Sequence, residues 1–117
     1  SIVLRLDYGE SSILLMGDLP TRQETQLIQT QTKLRAQVLK VGHHGSSYSS
    51  SLPFLQAVKP AWSIVSCGLH NLFHHPAPAA LARLQAVGSL VLITKDTSQV
   101  ILQTSGQGRW QRIQGAH

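Results

Sequence analysis

The 117 residues carry ten Lys and Arg against five Asp and Glu, a formal charge of +5, with 42 % hydrophobic residues and one cysteine. That is enough chain for one small domain with a modest core; an internal disulfide is excluded, and no apolar run approaches the roughly 20 residues a membrane helix needs. No charged, hydrophobic leader is visible at the start, so no signal peptide is expected. The basic excess favours anionic partners, nucleic acid among them, although the cations are scattered from Arg5 to Arg112 rather than gathered into a run.

Ile2, Leu4 and Leu6 alternate over Ser1 to Asp7, Tyr8-Gly9-Glu10 reads as a turn, and Ser12 to Met16 is apolar again, which predicts a β-hairpin. Gly17-Asp18-Leu19-Pro20 ends its second strand. Thr21 to Leu34 is rich in helix formers, with Leu27, Ile28 and Leu34 near helical spacing. Thr21 and Glu24 have the spacing of a capping box, and Lys33 and Arg35 suit the negative end of the helix dipole. Gln37 to Val41 reads as a buried strand closed by Gly42, and a His/Gly/Ser loop follows.

Ser50 or Ser51 can cap a short helix from Leu52 to Val58 with Pro53 in its first turn, and Lys59-Pro60 stops it. Ala61 to Ser66 is the next strand and Cys67 to His75 a polar, aromatic loop. Pro78 opens a helix over Ala79 to Val87, closed by Gly88. Ser89 to Thr94 and Gln99 to Gln103 are strands about a turn at Lys95 to Ser98. Trp110 and Ile113 mark a last strand in the Gly/Gln-rich tail. The order ββαβαβαβββ describes a layered α/β unit. Its short helices are expected to cover one face of a mixed sheet, leaving the other in need of a partner. There is no repeat, no dinucleotide fingerprint and no GK[ST] phosphate loop.

Three places put polar groups directly after an apolar strand: Asp18, the pair His43-His44, and His75. Loops at one edge of an α/β sheet converge, and ligands bind there. One carboxylate with imidazoles suits a borderline-soft divalent ion. Asp18 reads either as a turn acid or as a metal ligand. His43 and His44 are not separable by spacing, because adjacent side chains of an extended chain point to opposite sides. One can face a metal while the other meets phosphate or a carbonyl. Gly45 relaxes the backbone, and Ser46, Ser47, Ser49 and Ser50 offer hydroxyls to an anion. Asn71 can brace its loop and Pro76 stiffens the chain after His75. Cys67 reads as structural, His70 and His74 as less constrained, and Lys40 and Lys95 as solvated lysines that flank the site's edge. Three good donors are too few for a complete dinuclear site. This chain alone holds one ion weakly or none, unless further ligands lie elsewhere in a longer protein.

The stretches LLMGDL, VLKVGHHGSSYSS, FLQAVKPAWSIVSCG, HNLFHHPAP and ALARL, in this order from about Ile2 to Gln103, closely resemble the C-terminal half of the metallo-β-lactamase-like domain of ComEC-type DNA internalisation proteins. The resemblance implies the C-terminal half of an αββα sandwich: a partial domain over residues 1–103, then a strand or tail over 104–117. It implies a metal-dependent phosphodiesterase or nuclease acting on DNA during uptake by competent bacteria. Asp18 and His75 correspond to metal positions, and His43 and His44 to the catalytic HHGS pair. Ser46, Ser50 and Lys40 are placed for substrate phosphate, and Gly45, Asn71 and Pro76 for loop support. The implied cofactor is Zn or Mn. The implied partners are DNA and the remainder of a multi-pass transporter, with self-association through an open sheet face or edge a further expectation. The implied location is a soluble domain of a bacterial cytoplasmic-membrane protein. The family's H-x-D-x-D-H metal cluster is expected upstream of Ser1, so the isolated chain is expected to be inactive. Where the family reads H-P-H-P, this chain has His75-Pro76-Ala77-Pro78. The rival readings are a hydrolase of the same fold acting on a small ester or phosphodiester, and a non-enzymatic half-domain that contacts DNA.

Overall fold

Four strands running the same way set the frame of the molecule. The computed structural model describes residues 3–17, 21–30, 33–41, 51–65, 78–94 and 101–113. Its elements are β1 (Leu4–Tyr8), β2 (Ser11–Leu15), α1 (Thr21–Gln29), β3 (Val38–Lys40), α2 (Leu52–Val58), β4 (Trp62–Val65), α3 (Pro78–Ala86), β5 (Leu90–Ile93), β6 (Ile101–Thr104) and β7 (Trp110–Ile113). The order matches the one read from the sequence. The sheet is mixed: β1 is antiparallel to β2, while β2, β3, β4 and β5 are parallel neighbours in that order. A separate antiparallel ribbon joins β6 and β7.

Sequential parallel strands joined by right-handed crossovers place every connecting helix on one face. The helices here accordingly pack side by side, α2 between α1 and α3. The core lies beneath them. Leu14, Met16, Leu39, Val41 and Val65 rise from the sheet to meet Phe54, Leu55 and Val58 of α2 and Leu84 of α3. Phe54 is the largest side chain fully buried there. One polar pair sits at the strand ends: the Ser63 and Ser89 hydroxyls are 2.5 Å apart and satisfy each other, as buried polar groups must.

The opposite face carries the alternate residues. The register sets Leu4 and Leu6 against Leu15 and Ile13, and β4 and β5 add Trp62, Ile64 and Leu90 to the same side. Leu4 is 53 % exposed, Leu6 58 % and Leu90 54 %. The exposure is confined to the two edge strands: between them, on the same face, Val38 is fully buried and Leu92 is 7 % exposed.

Helix α1 is shorter than the periodicity suggests. It ends at Gln29, and Leu34, Lys33 and Arg35 lie beyond it. At Thr30 the N–H donates to the Gln26 carbonyl at 3.1 Å, while the hydroxyl donates to the Leu27 carbonyl at 3.0 Å. A threonine that competes for backbone acceptors in this way weakens the next turn. Leu34 and Ala36 still enter the core, from irregular chain. The two cations therefore lie outside the last turn, and the expected dipole contact is not made there.

The first turn is also tighter than expected: Tyr8 belongs to β1, leaving Gly9 and Glu10 as a two-residue connection. Gly9 has φ +59°, and a Cβ there would run into the Gly106 carbonyl oxygen. Only glycine fits both demands.

Candidate functional site at the carboxyl edge

The parallel strands make one edge of the sheet chemically distinct. Leu15, Lys40, Ile64 and Leu92 lie in one row across it. The Met16 N–H donates to the Lys40 carbonyl at 3.2 Å, and the Val41 N–H to the Ile64 carbonyl at 2.9 Å, which carries the ladder to the ends of the strands. The described chain leaves this edge at Gly17, Val41, Val65 and Thr94. The next residues in sequence are Asp18, the His/Gly/Ser loop, the segment with Asn71 and His75, and Lys95. Four polar segments thus follow in sequence from the carboxyl ends of adjacent parallel strands, where α/β folds bind ligands.

Of the residues singled out in the sequence, Asp18, His43, His44, Gly45, Ser46, Ser50, Asn71, His75 and Pro76 lie outside the described residues, as do Cys67, His70, His74 and Lys95. Lys40 lies within them. It is the last residue of β3, half-buried, one position short of the edge, and it shares the sheet face opposite the helices with the buried Val38. Among the described residues no three His, Cys, Asp or Glu side chains come together. All six histidines and the cysteine lie outside that set. On donor chemistry the strand-end residues suit a divalent ion: a carboxylate from Asp18 and imidazoles from the other two segments are the oxygen and nitrogen ligands that Zn and Mn accept.

The structure adds supports that the sequence did not announce. Glu24 is only 1 % exposed. Its Oε1 accepts the Ser51 N–H at 2.9 Å. Ser51 is the N-cap of α2, with φ −64° and ψ 153°, and makes no side-chain cap bond of its own. A buried carboxylate from α1 therefore fixes the point where the chain enters α2, immediately after the His/Gly/Ser segment. The S/T-x-x-E spacing pointed to Glu24, but as a local cap rather than as a long-range anchor.

Gln37 is a second support. Its carbonyl accepts the N–H groups of Ala61 at 2.8 Å and Trp62 at 2.9 Å. That turns it toward β4, so the side chain takes over toward β2: Oε1 accepts the Ser12 N–H at 2.6 Å and the Ser12 hydroxyl at 3.1 Å. The same oxygen meets Trp110 Nε1 at 3.4 Å, and Nε2 donates to the Glu10 carbonyl at 3.3 Å. One amide thus extends the β2–β3 ladder and ties the β6–β7 ribbon to the sheet. A lone Gln before a strand carries no sequence signal for this.

With this geometry in place, the chain can be set beside known proteins. It is 37 % identical over 100 residues to ComE operon protein 3 of Bacillus subtilis, covering 86 % of this chain and 13 % of that protein. It is 39 % identical over 109 residues to competence protein ComA of Neisseria gonorrhoeae, covering 92 % of this chain and 16 % of that one. Recombination protein 2 of Haemophilus influenzae is 37 % identical over 100 residues, which are 86 % of this chain and 12 % of that protein.

The chain belongs to the ComEC-type competence proteins. It spans between 12 % and 16 % of the length of these three relatives. No family model matches it, and no solved structure does. Among the described residues no helix is long and apolar enough to cross a membrane.

Proposed function

We propose that this ComEC-type segment is the C-terminal part of a metallo-β-lactamase-like αββα domain that hydrolyses DNA phosphodiesters with a divalent ion during DNA uptake. The observation that carries the reading is the carboxyl edge: adjacent parallel strands release, from one side of the sheet, the segments that hold Asp18, His43-His44 and His75. The apolar face opposite the helices, with Leu4, Leu6 and Leu90 exposed at its two edge strands, supports the sandwich, because a second sheet would cover it.

In this reading Asp18 and His75 hold the ion. A bound divalent ion supplies a water of lowered pKa and a Lewis acid for the scissile phosphate. His43 or His44 accepts or returns the proton that moves in the reaction. The Ser46 and Ser50 hydroxyls and the Lys40 ammonium bind phosphate oxygens and hold the strand without reading its bases. Gly45, Asn71 and Pro76 shape the two loops. Glu24 fixes the return of the first loop at Ser51. The remaining ligands belong to other parts of a longer protein, so the 117-residue chain is inactive alone. That longer protein sits in the bacterial cytoplasmic membrane as a transporter, with this domain outside the bilayer.

Calorimetric titration of the full-length protein with Mn²⁺ and with Zn²⁺ tests the metal assignment. Asp18→Ala is expected to weaken binding by about 10-fold or more, the scale on which even outer ligands act. Equal affinity in wild type and variant removes Asp18 from the site and the reading with it.

A further inference from the structure

A second polar feature lies at the other end of the sheet. The β6–β7 ribbon is fastened beside the Gly9-Glu10 turn, at the amino ends of the parallel strands. The Glu10 N–H donates to the Gly106 carbonyl at 2.7 Å. The Gly108 N–H donates to the Ser11 hydroxyl at 2.9 Å, and that hydroxyl lies 2.5 Å from Thr104 Oγ1. Trp110 is held by its indole N–H on Gln37. These bonds fix the ribbon rather than leave it as a loose tail.

Along this ribbon runs a groove of about 350 Å³, lined by Gln103, Thr104, Ser105, Arg109, Trp110 and Gln111. Arg109, Gln103 and Gln111 are exposed, and Trp110 is half-buried. Arg112 is exposed on β7 and shares the strand face of Trp110. The sequence from Ile101 to Ile113 contains two arginines and no acid. Glu10 flanks the loop at Gly108 and sets one negative charge against the two arginines.

We propose that this groove is a single-stranded DNA contact, separate from the carboxyl-edge site and resting on the same DNA-processing reading. The chemistry is that of sequence-tolerant strand binding: guanidinium groups meet phosphates and an indole face meets a base. The indole is already oriented by Gln37, so little ordering is needed on binding. From Ser11, where the ribbon is anchored, to Leu15 in the carboxyl-edge row is four residues at about 3.3 Å each, roughly 13 Å. The groove therefore holds the strand while chemistry happens at the other edge. Its loss weakens binding without altering the reaction itself.

The chain has two tryptophans, so Trp62→Phe leaves Trp110 as the sole indole reporter. Titration of this variant with oligothymidylate is expected to quench Trp110 emission saturably, and a duplex of equal length is expected to quench it less. In the Arg109→Gln, Arg112→Gln double variant the slope of log affinity against log salt is expected to be shallower by about 1.4, at roughly 0.7 per phosphate contact on a single strand. Binding without Trp110 quenching and with an unchanged slope overturns this contact and leaves the DNA reading standing. Quenching by the duplex as strong as by the single strand overturns the single-strand assignment. No binding of DNA by chain or full-length protein overturns both.

Discussion

Replacing Gln37 by alanine tests the claim that one side chain joins three parts of the fold. Ser12 is 4 % exposed, and its N–H has Gln37 Oε1 as partner at 2.6 Å. An orphaned buried N–H costs about 1–3 kcal/mol. The bonds at 3.1, 3.3 and 3.4 Å are longer and only part-buried or exposed, and add about 0.5 kcal/mol each at most. The expected loss is about 2–3 kcal/mol. With urea slopes of about 1–3 kcal/mol/M for small proteins, the midpoint falls by about 1–2 M at an unchanged slope. Amide exchange supplies the local readout. The Ser12 N–H loses protection beyond the global change, while the Leu39 N–H, inside the β3 ladder, follows the global change alone. A midpoint shift below about 0.3 M, or equal loss at Ser12 and Leu39, refutes the reasoning, because the ladder would then not depend on the amide.

Three further outcomes follow from the same contacts. Glu24→Ala removes the acceptor of the Ser51 N–H and is expected to cost about 1–3 kcal/mol, with Glu24→Gln losing less because an amide oxygen still accepts; chemical denaturation of both variants checks this. Phe54→Ala opens a cavity between α2 and the sheet and is expected to cost about 3–5 kcal/mol in the same assay. Gly9→Ala is expected to cost more than the roughly 1–2 kcal/mol of a left-handed residue, since its Cβ meets the Gly106 carbonyl, and to free the Glu10 amide to exchange.

Local chemistry made most of the fold legible. Alternation in β1, the apolar runs of β2 to β5 and the stops at Lys59-Pro60 and Gly88 place every element in the order observed. The end of α1 is not legible because Leu34 keeps a helical spacing to Leu27, although the helix stops at Gln29. Burial at Leu34 is a tertiary fact that periodicity cannot separate from helix. The convergence of the strand ends at one edge was legible, since alternating strands and helices imply parallel neighbours. The roles of Gln37 and Glu24 were not. Each depends on partners 25 to 73 residues away for Gln37 and 27 residues away for Glu24, and no local pattern encodes such pairs. Both strands of the β6–β7 ribbon are legible in the sequence, but their pairing into a ribbon separate from the main sheet is not. Its attachment through Glu10, Ser11 and Gln37 joins residues far apart in sequence.

The most direct test of the central claim is cleavage of end-labelled DNA by the full-length protein, with Mn²⁺, with Zn²⁺ and after chelation, in wild type and in Asp18→Ala. The account predicts metal-dependent cleavage that chelation abolishes and Asp18→Ala reduces by about 100-fold or more, the scale of losing a group that stabilises the transition state. Absence of cleavage with either metal, or cleavage unchanged by chelation and by Asp18→Ala, contradicts it.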